Sequence, residues 1–113
     1  MIEARAELDA EGRLVRFEAS GHAGHGRKGQ DIVCAAFTVL ARTAYETLAA
    51  LPGSAVEGSA SGPGTLRFAV RRIDEGGLER AAGIADFLLA GLSGLEREFP
   101  GEVSVTIDRH WRE

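Results

Sequence analysis

Leu14-Val-Arg-Phe-Glu-Ala-Ser20, Gly21-His-Ala-Gly-His-Gly-Arg-Lys-Gly-Gln30 and Asp31-Ile-Val-Cys-Ala-Ala-Phe37 follow one another without a break, and their three textures set the architecture. In the first, Val15, Phe17 and Ala19 fall on one side and Leu14, Arg16 and Glu18 on the other, the period-two pattern of a half-buried strand. The second holds Gly21, Gly24, Gly26 and Gly29 within ten residues, and glycine loses the most backbone freedom on ordering, so a loop is predicted. The third opens a helix. Val33, Phe37, Leu40, Ala44 and Leu48 recur at three- and four-residue steps as one apolar stripe. Asp31 suits the N-cap, where its carboxylate accepts from the unpaired amides one turn in, and Pro52-Gly53 stops the helix.

Outward from this stretch the same reasoning continues. Ile2, Ala4, Ala6 and Leu8 alternate with Glu3, Arg5 and Glu7, and the turn Asp9 to Gly12 joins this strand to the next as a hairpin. Val56 and Leu66 to Val70 are strand-like, separated by a Gly/Ser-rich turn from Glu57 to Gly64. A second helix is predicted from about Glu75 to Phe99, with Leu78, Ala82, Ala85, Leu88, Leu92, Leu95 and Phe99 on one face. Gly83, Gly91 and Gly94 each weaken it by about 1 kcal/mol relative to alanine. Pro100-Gly101 ends it, and Val103, Val105 and Ile107 alternate as a last strand. The order is ββ-α-ββ-α-β: an α+β fold, one domain over residues 1–113, with two helices packed on a mostly antiparallel sheet.

Composition bounds the function. The single cysteine excludes an internal disulfide and fits a reducing cytoplasm. No uninterrupted apolar run approaches the ~20 residues of a membrane span, and the alternating N-terminus does not read as a signal peptide. A cytoplasmic protein with no membrane partner is expected. The formal net charge is −4, and the basic pairs Arg27-Lys28 and Arg71-Arg72 form no stripe, which disfavours direct nucleic-acid binding. An acidic surface meeting a basic protein or peptide stays open.

The chemistry concentrates where loop meets helix. Cys34 is expected in the first turn, three residues after the cap, where free amides and the helix dipole favour an anion. His22 ends a strand just before the loop, and a cysteine nucleophile with a histidine base is a recurrent constellation for acyl transfer. Amides at Cys34 and its neighbours are candidates to hold an oxyanion. The competing reading makes Cys34 a buried small hydrophobe, as unbridged cysteines commonly are. His22, His25, Cys34 and His110 are ligand types that zinc uses, but only His22 and His25 are closely spaced, so no metal and no cofactor is expected. His25 reads as an exposed loop residue, and Trp111 beside His110 as a cover for the end of the core or, less often for such a tryptophan, part of a contact surface. Arg71-Arg72 and 109–113 read as solvated surface. Thr38, one turn past Cys34, is expected to bond back to a helix carbonyl or to touch substrate.

Gly21-His22-Ala23, the glycine-rich loop and Gly29-x-Asp31-Ile32-Val33-Cys34-Ala35-Ala36 resemble the signature of the Prp family of ribosomal-processing cysteine proteases, and the element order resembles that family's fold over essentially the whole chain. The resemblance implies catalytic roles for His22 and Cys34, and a motif aspartate at Asp31 that either orients His22 or caps the helix. It implies a lid or substrate-binding loop that includes Gly21, Gly24, His25, Gly26 and Gly29, with Thr38 nearby. It further implies a cytoplasmic homodimer whose substrate is the N-terminal extension of large-subunit ribosomal protein twenty-seven. His25 stands where an aromatic is common and Thr38 where a serine often follows the cysteine; both bear on substrate contact. The alternative is a non-catalytic, ribosome-associated or peptide-binding dimer module on the same fold.

Overall fold

Five strands and two helices are laid down in the order β1 (Ile2–Leu8), β2 (Leu14–Ser20), α1 (Lys28–Ala49), β3 (Ala55–Gly62), β4 (Thr65–Arg72), α2 (Leu78–Glu98) and β5 (Val103–Arg109). The computed structural model describes residues 1–21, 28–62 and 65–109, with backbone alone at 28–31 and 60–62. The strands form one sheet in the order β3-β4-β2-β1-β5. Every neighbouring pair is antiparallel except β1 and β5, which run parallel with Ile2 opposite Val103. A parallel pair needs a long crossover, and the β2-to-α2 excursion supplies it.

Alternation decides which face is covered. Ile2, Ala4, Ala6 and Leu8 are buried beneath the helices, while Glu3 and Arg5 are exposed on the other face. On β2, Phe17 is fully buried and its ring lies 6.4 Å from Phe37 of α1 and 5.5 Å from Phe68 of β4. The α1 stripe Val33, Phe37, Ala44 and Leu48 and the α2 stripe Ala85, Leu88, Leu92 and Leu95 complete one core. The helices meet where Leu40 lies over Gly91, whose absent Cβ would sit 3.0 Å from both Leu40 methyl carbons. That close approach accounts for one glycine inside α2. The helix runs unbroken through all three, because packing of the stripe outweighs their propensity cost. By composition, Ile32–Ala49 is apolar enough to cross a bilayer (mean hydropathy 1.3). Here that stretch is the core helix over the sheet.

The other face is bare and charged. Arg5 bonds Asp108 through Nε at 2.7 Å, Arg16 pairs with Glu7 at 3.0 Å and Arg71 with Glu57 at 2.5 Å. The hydrogen bond to Asp108 and its charge hold the Arg5 guanidinium above its ordinary range. Exposed pairs of this kind contribute little to stability; they keep the uncovered face soluble.

Two boundaries differ from the sequence reading. Glu57 to Gly62 belong to β3, where the glycines and serines had predicted a turn. Pairing with β4 from Ala55↔Arg72 to Gly62↔Thr65 supplies the order that strand propensity does not. Gly58 has a local reason to be there, since a Cβ would come 2.5 Å from Cε1 of Tyr45, whose ring packs on Phe68 at 5.5 Å. Likewise α1 begins at Lys28, three residues before the predicted cap. One glycine in a first turn costs only about 1 kcal/mol, and the anchored stripe from Val33 onward carries the helix back through it. The second helix is preceded by a 3₁₀ turn at Glu75–Gly77 and then follows the predicted span.

Candidate active site

The end of the sheet where β2 stops is also where α1 starts. Ser20 stands opposite Thr65 on one side and Glu3 on the other, and Thr65 faces Gly62, so β2, β4, β3 and the start of β1 converge there. Gly21 is held in a backbone conformation with φ +101°, and a Cβ on it would run into the carbonyl oxygen of Met1. That carbonyl cannot retreat easily, because the next amide, Ile2 N, donates to Glu102 O at 2.9 Å. Only glycine fits the position that precedes His22. The Gly-His pair of the sequence signature therefore has a steric cause.

Cys34 is the seventh residue of α1 and so lies in its second turn. This corrects the expected place in the first turn. The amides without a helical partner are those of residues 28–31, so the oxyanion donors predicted at Cys34 fall instead one turn earlier. Asp31 is the fourth helical residue and therefore not the N-cap; its charge still suits the first turn, near the positive end of the dipole. Gly29 lies in that same turn. Cys34 is half-buried, makes no disulfide, and packs against the edge of the core. Ile32, two residues earlier, is 63% exposed. Thr38 is exposed and makes no hydrogen bond among the described residues, in contrast to Thr47, which donates to Thr43 O at 2.8 Å. The expected bond of Thr38 back to a helix carbonyl is absent, and its hydroxyl is available to a ligand.

His22, Gly24, His25 and Gly26 lie outside the described residues, as does His110. Among the described residues no cluster of His, Cys, Asp or Glu could hold a metal. Shallow hollows lined by Arg5, Glu18, Thr65 and Arg67 lie on the bare face of the sheet, the side away from Cys34. Arg71 and Arg72 are exposed, as expected of solvated surface, although Arg72 also donates to Gly53 O at 2.8 Å.

Tyr45 is a neighbour of the site that the sequence reading passes over. It stands eleven residues beyond Cys34, and at 100° per residue both side chains leave α1 on the same flank. Gly58 beneath Tyr45 identifies this as the β3 side, just as Leu40 over Gly91 identifies the opposite flank as the α2 side. Its sequence signal is the i, i+4, i+7, i+11 series Cys34, Thr38, Ala41, Tyr45, overshadowed by the stronger core stripe.

A half-buried thiol on a helix flank, one turn beyond the amides of residues 28–31 that have no helical partner, can support attack on a carbonyl. Comparison with known proteins agrees. The chain resembles the crystal structure of SMU.848 from Streptococcus mutans, with a TM-score of 0.81, 28% identity, and coverage of 97% of this chain and 96% of that one. It shares its fold with the ribosomal processing protease Prp from S. aureus in complex with a covalently linked product peptide (TM-score 0.78, 21% identity, 96% of this chain and 100% of that one). The same holds for that protease in complex with a substrate peptide (TM-score 0.77, 20% identity, 96% and 100%). No curated protein matches. The family model described as cysteine protease Prp matches residues 1–104, and the chain therefore belongs to the Prp family of cysteine proteases.

Proposed function

We propose that the protein is a cytoplasmic endopeptidase that removes the N-terminal extension of large-subunit ribosomal protein twenty-seven, with Cys34 as nucleophile and His22 as base. The family match over residues 1–104 carries this reading. Further support comes from the S. aureus relatives of the same fold, one crystallised with a substrate peptide and one with a covalently linked product peptide. In this mechanism His22 accepts the Cys34 proton and Sγ bonds to the scissile carbonyl carbon. The oxyanion takes hydrogen bonds from the unpaired amides of the first turn of α1. The C–N bond breaks, His22 returns the proton to the leaving amine, and water hydrolyses the thioester to a carboxylate and restores the thiol. No cofactor enters. Asp31 orients His22 or serves the helix start. The segment from Gly21 to the start of α1, with Gly24, His25 and Gly26 in it, covers the peptide as a lid. Because a catalytic group misplaced by ~1 Å can cost ~100-fold in rate, generic short peptides are poor substrates.

The protein is further proposed to act as a homodimer. Ile32 and Val39 on α1 and Phe87 on α2 are 63%, 64% and 67% exposed, and a second copy would cover them. The catalytic reading is tested by incubating the precursor with wild type, Cys34→Ser and His22→Ala and reading intact mass. A single N-terminal truncation by wild type alone is expected. An extended precursor left whole by wild type would remove the assignment in favour of a peptide-binding module.

A further inference from the structure

The flank of α1 that carries Cys34 does not end at the thiol. Thr38 follows one turn on and exposed, Ala41 lies at the base of the row, and Tyr45 closes it. Along this flank the sheet extends past the helix. Gly58 of β3, which faces Tyr45, is exposed, and Val56 and Leu66, on the same side of the sheet, are only half-buried. On the opposite flank Leu40 closes onto Gly91, and no such shelf exists among the described residues. The Tyr45 ring rests between Phe68 and Gly58, half-buried, and its hydroxyl has no hydrogen-bond partner among the described residues. Charge is confined to the rims: Arg42, four residues past Thr38 and three before Tyr45, is exposed on the outer side of α1. Glu57 points to the bare face and pairs with Arg71 at 2.5 Å. The floor of the shelf, between these rims, is uncharged and largely apolar, and it is continuous with the nucleophile.

We propose that this shelf is the substrate track and that Tyr45 is a specificity-determining residue for the protease reading above, on which the inference rests. The occupant is an extended, uncharged, apolar segment of the substrate peptide. Eleven residues of helix rise about 16 Å at 1.5 Å each, and an extended chain advances roughly 3.3 Å per residue. Tyr45 therefore meets a peptide side chain about five residues from the scissile bond. Such remote contact lets a small enzyme tell one protein terminus from generic peptide, because binding far from the reacting centre positions the scissile bond.

The test uses two synthetic peptides from the ribosomal protein twenty-seven precursor. The long one carries the whole extension and the start of the mature chain; the short one carries three residues on each side of the scissile bond. Wild type, Tyr45→Ala, Tyr45→Leu and Tyr45→Phe are assayed on both, with thermal unfolding in parallel. Wild type is expected to favour the long peptide by about tenfold in kcat/KM. Tyr45→Ala is expected to lose that advantage through KM while leaving the short peptide unaffected. Tyr45→Phe should retain most of it. If Tyr45→Ala unfolds, Tyr45→Leu, which keeps apolar packing on Phe68, must show the same split. Equal loss on both peptides, or loss in kcat alone, would make Tyr45 a structural residue and overturn the proposal, as would a wild type that cleaves both peptides equally. A wild type that cleaves neither peptide overturns the substrate assignment and this inference with it, a pattern distinct from any dependence on residue 45.

Discussion

Replacing Gly21 by alanine should damage the protein more than replacing Gly12, although both residues have positive φ. At Gly12 φ is +81° and nothing lies within 4 Å of an added Cβ. Gly12→Ala therefore pays only for the unfavourable backbone region, about 1–2 kcal/mol. At Gly21 φ is +101° and the Cβ meets the Met1 carbonyl oxygen, a backbone atom tied down by the Ile2 to Glu102 hydrogen bond at 2.9 Å. A flexible side chain could swing aside; this carbonyl can move only if the start of β1 moves with it. Adding roughly 2 kcal/mol for that displacement, within the usual range for overpacking, brings Gly21→Ala to about 3–4 kcal/mol. For a domain near 100 residues each kcal/mol shifts the melting temperature by about 4–8 °C. Gly21→Ala should then melt about 10 °C below Gly12→Ala in calorimetry. It should also lose more activity at a temperature where both are folded, because residue 21 sets the entry of the chain into His22. Melting within about two degrees of Gly12→Ala, with equal turnover, would refute the claim that this glycine is required by contact with the N-terminal strand.

Three further outcomes follow from the packing. Gly83 lies on an exposed part of α2 with no atom within 4 Å of an added Cβ, so Gly83→Ala should stabilise by about 0.5–1 kcal/mol. Gly91→Ala should gain less or lose, since Leu40 must give way; denaturant midpoints measure both. Phe17→Ala empties the fully buried centre of the Phe37 and Phe68 cluster and should cost about 3–5 kcal/mol, seen as a lower urea midpoint with little change in slope. Iodoacetamide should add one group to the native protein, at Cys34, and His22→Ala should slow that addition; equal rates in the two proteins would deny His22 any part in activating the thiol.

The element order and the covered face of the sheet were legible because period two and period 3.6 are strong over β1, β2, α1 and α2. Boundaries were less so. Glu57 to Gly62 carries turn residues in a strand, since cross-strand pairing and the Tyr45 contact, both long-range, decide its conformation. Lys28 to Gln30 carries loop composition in a helix, because the anchor that extends α1 lies downstream of it. The chemistry of Cys34 was legible through a motif, and its turn of the helix was misplaced by the same three residues. The flank that joins Cys34 to Tyr45 was not legible as a surface, because it needs β3 in place to show which side of α1 is left open.

The most direct test of the central claim is the covalent intermediate itself. Wild type mixed with extended precursor, quenched in acid during turnover and read by intact mass should carry the N-terminal extension as an acyl group, mapped by digestion to Cys34. Cys34→Ala should neither cleave nor carry the adduct. Cleavage that proceeds without an adduct and survives Cys34→Ala would contradict the account.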